Sequence, residues 1–73
     1  MNNTKIKTIS EVFEKLKAGN WVDLLIDDWV YSFIQTGDNE VYFYGKKENS
    51  YQEGVIDYEY LSKLLNKYDW REI

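Results

Sequence analysis

The chain has no cysteine, no histidine and no proline, and only one methionine and four glycines among 73 residues. Without cysteine there is no disulfide. Without cysteine or histidine there is no thiolate–imidazole metal site. Histidine general-base catalysis, Ser–His triads and cysteine nucleophiles are excluded on the same ground. No stretch approaches the roughly 18 consecutive apolar residues that a membrane span needs. The lead Met1-Asn2-Asn3-Thr4-Lys5 has no apolar run behind it, so it does not read as a signal peptide. The expectation is a cytoplasmic protein with no membrane association. Richness in Asn, Lys, Ile and Tyr suits an AT-rich genome, with a bacterial host or its phage as the default source.

Aromatic residues, by contrast, are plentiful: three Trp, seven Tyr and three Phe, 18% of the chain. Each large ring can bury about 150–250 Å², so few residues suffice for a usable core. One domain, residues 1–73, is expected at this length. A core in a chain below roughly 70–80 residues supplies only about 3–5 kcal/mol. With no covalent or metal staple, self-association is the usual remedy, and a homo-oligomer is expected.

Thr8-Ile9-Ser10-Glu11 fits a capping box, with Ile9, Val12, Phe13 and Leu16 following at i, i+3, i+4, i+7. Lys15 and Lys17 suit the last turn, and Gly19-Asn20 suits a stop. The pattern predicts a helix over 9–18. Trp21 to Ile26 reads as a strand and Asp27-Asp28 as a turn. Trp29 to Thr36 is a β-former run that puts Trp29, Tyr31 and Phe33 on one face. Thr36-Gly37-Asp38-Asn39-Glu40 is turn chemistry, with Gly37 and Asn39 able to take positive φ. Val41 to Gly45 completes a hairpin with the preceding strand. Lys46 to Ser50 reads as a polar loop, and Tyr51 to Ile56 as a weaker strand interrupted by Gly54.

Asp57 can cap a second helix, where Leu61, Leu64, Leu65 and Tyr68 repeat the helical spacing. Asp69 to Ile73 suits a short edge strand. The first two strands are alternatively one long bent strand. The order predicts an α+β fold: a small antiparallel sheet of three to five strands, with an N-terminal and a C-terminal helix packed on one face.

Charge is unevenly placed. Residues 1–20 carry +2, residues 21–45 carry −5 with no cation, and residues 46–73 carry −1. The acidic stretch also holds seven of the thirteen aromatics. Rings anchor interfaces and carboxylates steer basic partners. Asp23, Asp27, Asp28, Trp29, Tyr31, Tyr42 and Tyr44 are therefore the candidate partner-binding residues. The plainer reading puts half of these rings in the core and leaves the acids to keep the other face wet. Direct nucleic-acid binding is not expected of a net-negative chain. A basic patch of Lys5, Lys7, Lys15 and Lys17 is a weak exception, because Lys15 and Lys17 diverge by roughly 200° on a helix.

No catalytic residues stand out. Asp27 and Asp28 are adjacent carboxylates that a strand would aim apart. Asp23 with either of them could ligate Mg²⁺, but a polar turn explains the pair more simply. The serines have no imidazole base, and the glycines form no phosphate loop. No metal and no cofactor is expected. A nucleotide could still stack on the rings, with Lys46, Lys47 and Arg71 as candidate phosphate donors.

Leu16-Lys17-Ala18-Gly19 closing an amphipathic helix, aromatic strands, Leu64-Leu65 and then Asp69-Trp70-Arg71-Glu72-Ile73 together form a layout. It resembles that of the small phage Thoeris-antagonist family, sponges that sequester cyclic-nucleotide defence signals. The family tends to carry basic residues after its first Gly, where this chain has the neutral-to-acidic Asn20-Trp21-Val22-Asp23. The resemblance implies a homo-oligomer with ligand sites between subunits.

The leading expectation is a small, non-enzymatic phage or prophage-type binding protein. It would inhibit a host defence or host enzyme through an acidic, aromatic hairpin, with a host protein as partner. The alternatives are an oligomeric sponge for a cyclic nucleotide and an immunity protein that neutralises a toxin.

Overall fold

The computed structural model describes residues 6–73. The order is α1 (Ile9–Lys17), β1 (Val22–Ile26), β2 (Trp29–Gly37), β3 (Glu40–Lys47), β4 (Ser50–Ile56), α2 (Tyr58–Lys67) and β5 (Trp70–Glu72). The five strands form one antiparallel sheet in the order β4-β3-β2-β1-β5. With the two helices this is the expected α+β fold. No helix among the described residues is long and apolar enough to cross a membrane.

Both helix starts follow from their caps. The Thr8 side chain accepts from the Glu11 N–H, and the Glu11 carboxylate accepts from the Thr8 N–H. Two of the helix's orphan donors are thereby satisfied. α1 ends in a Schellman turn. Gly19 takes φ 90° and donates to the Leu16 carbonyl, while Asn20 donates to that of Lys15. At α2 the Asp57 carboxylate accepts from the Tyr60 N–H at 2.8 Å. The Tyr58 N–H finds a partner outside the helix, the Asn39 amide oxygen, at 3.1 Å. α2 ends at Lys67, so Tyr68 leaves the helical stripe and is extended.

Strand parity decides which side chains the helices cover. Val22, Leu24 and Ile26 of β1, Tyr31 and Phe33 of β2 and Val41 of β3 are buried. So are Val12 and Leu16 of α1 and Leu61 and Leu65 of α2, all in one cluster. Each such side chain contributes about 1.5–3 kcal/mol of burial. Both helices thus lie on the same side of the sheet. Tyr58 ties the layer together. Its ring meets Phe13 edge-on at 4.8 Å, Lys17 lies 5.3 Å from the ring centre, and its hydroxyl donates to Gln35.

Several local expectations are corrected. The separate strands β1 and β2 and the Asp27-Asp28 turn are as expected, and only the alternative of one long bent strand is set aside. The Lys46–Ser50 loop is a two-residue turn, Glu48-Asn49. The ladder continues through Lys46↔Tyr51 and Lys47↔Ser50, so both lysines belong to β3. Gly37 and Asn39 do not take positive φ; among the described non-glycine residues Asp27, Asp28 and Glu48 do. The register instead shifts between Gln35 and Gly37, a bulge that absorbs the turn's geometry. Lys5, of the suggested basic patch, lies outside the described residues.

Candidate functional site

Among the described residues, no second layer packs on the side of the sheet away from the helices. Read across the strands in register, one row is Val55, Tyr42 and Ile34. The next is Glu53, Tyr44, Ser32 and Asp23. The third is Tyr51, Lys46, Val30, Leu25 and Arg71. An antiparallel sheet with one wet face ordinarily alternates apolar inward and polar outward. Here the outward phase is itself rich in rings and branched aliphatics. Val30 is 45% exposed, Tyr44 39%, Tyr51 64% and Val55 55%. These side chains stand on β2, β3 and β4, neighbours in the sheet.

The polar groups on this face are arranged among themselves. The Ser32 hydroxyl donates to Asp23 Oδ1 at 2.7 Å, and the Tyr42 hydroxyl donates to Glu53 Oε1 at 2.7 Å. The second bond raises the Tyr42 phenol above its ordinary range, because it holds the proton against a carboxylate. The Tyr44 and Tyr51 rings lie 5.9 Å apart. Among the described residues the ion pairs are Lys15–Glu72 and Lys63–Glu59, so neither Lys46 nor Arg71 on the open face is matched to a carboxylate.

The seven candidate partner-binding residues fall in three places. Asp23, Tyr42 and Tyr44 lie on the open face. Asp27 and Asp28 form the β1–β2 turn at φ 49° and 72°. Trp29 and Tyr31 point the other way, into the helix-covered layer. There Tyr31 is 9% exposed and stacks between Trp29 and Phe33 at 6.0 and 5.7 Å. Tyr31 is therefore a core ring, and the single aromatic, acidic hairpin surface is corrected to two opposite faces and a tip. Burial, then Tyr60, Tyr68 and Asp27 nearby, push the Tyr31 phenol up.

The three candidate phosphate donors are not brought together either. Lys46 and Arg71 share a row but stand on opposite sides of Val30 and Leu25, three strand spacings or about 14 Å apart. Lys47 has the opposite parity and faces the helix side.

Two of the hollows that flank the sheet bear on these residues. One, open and about 540 Å³, lies at the β1–β2 tip, where Asp27, Asp28 and Asp69 meet Lys67 and Arg71 beside Trp70. The other, about 210 Å³, lies on the helix side between Trp29, Tyr31, Gln52, Leu64 and Tyr68. No group of three or more potential metal-ligating side chains occurs among the described residues.

Tyr51, Val55, Val30, Ile34 and Leu25 were not singled out from the sequence. A signal for two of them was present. Val30 and Ile34 occupy the even phase of β2, opposite in parity to Trp29, Tyr31 and Phe33, so β2 is apolar on both faces. No family model matches the chain, and neither does any curated protein or solved structure.

Proposed function

We propose that the protein is a non-enzymatic binding protein whose working surface is the open face of the sheet. The observation that carries this is the exposure of Tyr44, Tyr51, Val30 and Val55 on a face that neither helix covers. Rigid rings bring large contact area at low entropy cost, and the mixed charges of the face, Asp23 and Glu53 with Lys46 and Arg71, set which surface fits it. The role proposed is inhibition of a host protein by occupancy.

The test is affinity capture from a bacterial host lysate with the full chain as bait. A stoichiometric partner should be retained by the wild type and by Asp27→Asn/Asp28→Asn, and lost with Tyr44→Asp. Equal capture by Tyr44→Asp would overturn the assignment of the face.

A further inference from the structure

We propose that the free protein covers the open face with a second copy of this chain, related by a two-fold axis running along β2, until a partner competes for it. The inference rests on the open face being a protein-binding surface, and it names what covers that surface in the free protein.

The strand order makes β2 the middle strand, with β3 and β4 on one side and β1 and β5 on the other. Rotation about an axis along β2, in the plane of contact, lays β1 over β3 of the second copy and β5 over β4. It also keeps the strands of the two sheets within about 30° of each other, the aligned packing that twisted sheets prefer. A closed, self-complementary pair results.

The charges fit that operation. Apart from Glu40 at a hairpin end, the strand residues of this face carry four ionised groups: Asp23 on β1, Glu53 on β4, Lys46 on β3 and Arg71 on β5. Both acids lie in the Tyr44 row, and both cations in the adjoining Val30 row. The rotation therefore brings Asp23 one row from Lys46 of the second copy, and Glu53 one row from Arg71 of the second copy. Each acid's counterpart strand supplies a cation, and each pairing occurs twice. Among the described residues neither cation forms an ion pair within one copy, although Arg71 borders the hollow that Asp27, Asp28 and Asp69 also line. Val30 and Ile34, on the axis, pack on their own equivalents.

The area suits a weak, exchanging pair. The rows hold three, four and five positions; at about 4.8 Å between strands and about 6.6 Å between rows they give roughly 380 Å² of projected face per copy. Two copies cover roughly 760 Å² in projection, the scale of small, transient interfaces.

The experiment is sedimentation equilibrium of the full chain, from micromolar to millimolar, at low and high salt. The expected result is a dimer that weakens with salt. Val30→Asp, at an exposed position, should give a folded monomer with an unchanged far-ultraviolet circular dichroism spectrum. Arg71→Glu should weaken the dimer at least about tenfold, and adding Glu53→Arg should restore it, since the swapped charges meet across the axis. A wild-type monomer throughout, or a dimer indifferent to Val30→Asp and Arg71→Glu, would overturn the proposal. A monomer that still captures a lysate protein through Tyr44 would overturn the dimer and leave the binding face standing. A monomer with no such capture would overturn both.

Discussion

The backbone N–H of Ile6 donates to Glu72 Oε1 at 2.7 Å, joining the two ends of the described chain. The other oxygen of the same carboxylate lies 3.9 Å from Lys15 Nζ on α1. Glu72 thus links the lead, the first helix and the last strand. Glu72→Ala leaves a partly buried N–H without its acceptor and should lower stability by about 1–3 kcal/mol. Glu72→Gln keeps an acceptor and should lose less. Urea denaturation of the two variants decides it; equal losses would assign the effect to charge instead of the hydrogen bond.

Tyr31 needs a glycine beside it. Its ring lies over Gly45 on β3, and a β-carbon built there would overlap Cε1 of the ring. Trp29, Phe33 and Phe43 crowd the ring at centroid distances of 6.0, 5.7 and 5.9 Å. Gly45→Ala should destabilise by about 1–3 kcal/mol through overpacking. Adding Tyr31→Leu should make the alanine nearly neutral at this position. A double-mutant cycle in urea measures the coupling, and strict additivity would refute the contact as the cause.

The β1–β2 loop places two aspartates in left-handed backbone, the form a two-residue hairpin loop favours and one that Asp tolerates better than most residues. Asp28→Gly should therefore raise stability by about 0.5–1 kcal/mol. Asp27→Lys and Asp28→Lys would strain the turn as well as reverse its charge. Neutralisation to Asn removes the charge and keeps the turn. Thermal melts of Asp28→Gly and of the double Asn variant separate the two effects.

The first helix should carry an acid-sensitive cap. The Glu11 carboxylate accepts from the backbone N–H groups of Lys7 and Thr8, both at 2.9 Å, and these bonds hold its pKa below the usual range. A carboxyl lowered by folding stabilises the native state when ionised. The contribution is present above the ordinary glutamate range, falls as pH drops through it, and is gone below Glu11's own value. Denaturation midpoints from about pH 7 to about pH 3 should fall less steeply in Glu11→Gln than in the wild type.

Much of this architecture is written in local chemistry. The Thr8–Glu11 box, the Gly19 stop and the Asp57 cap are short-range devices, and each occurs where its residues predict. Parity within Trp29–Thr36 likewise puts Trp29, Tyr31 and Phe33 together. Parity does not say which face the helices will cover, and that choice sends Tyr31 to the core and leaves Tyr42 and Tyr44 outside. It depends on how Val12, Leu16, Leu61 and Leu65 dock, a tertiary fact. The Glu48-Asn49 turn was hidden for another reason. It places glutamate at φ 54° without a glycine, so no residue type advertised it. The open face emerges only when five strands are aligned in register, since its rows draw on residues far apart in the chain.

The sheet's connectivity also dictates an order of events. β1 to β4 are joined by three two-residue loops, so every pairing among them closes a small loop and forms early. β5 pairs with β1 across nearly the whole length of the meander and α2. That closure is entropically the most demanding, and such long-range pairings set folding rates. Pulse-labelled refolding should find the amides of β2 and β3 protected before those of Trp70–Glu72. The kinetic barrier then belongs to the docking of the shortest strand, although that strand adds the least to the sheet.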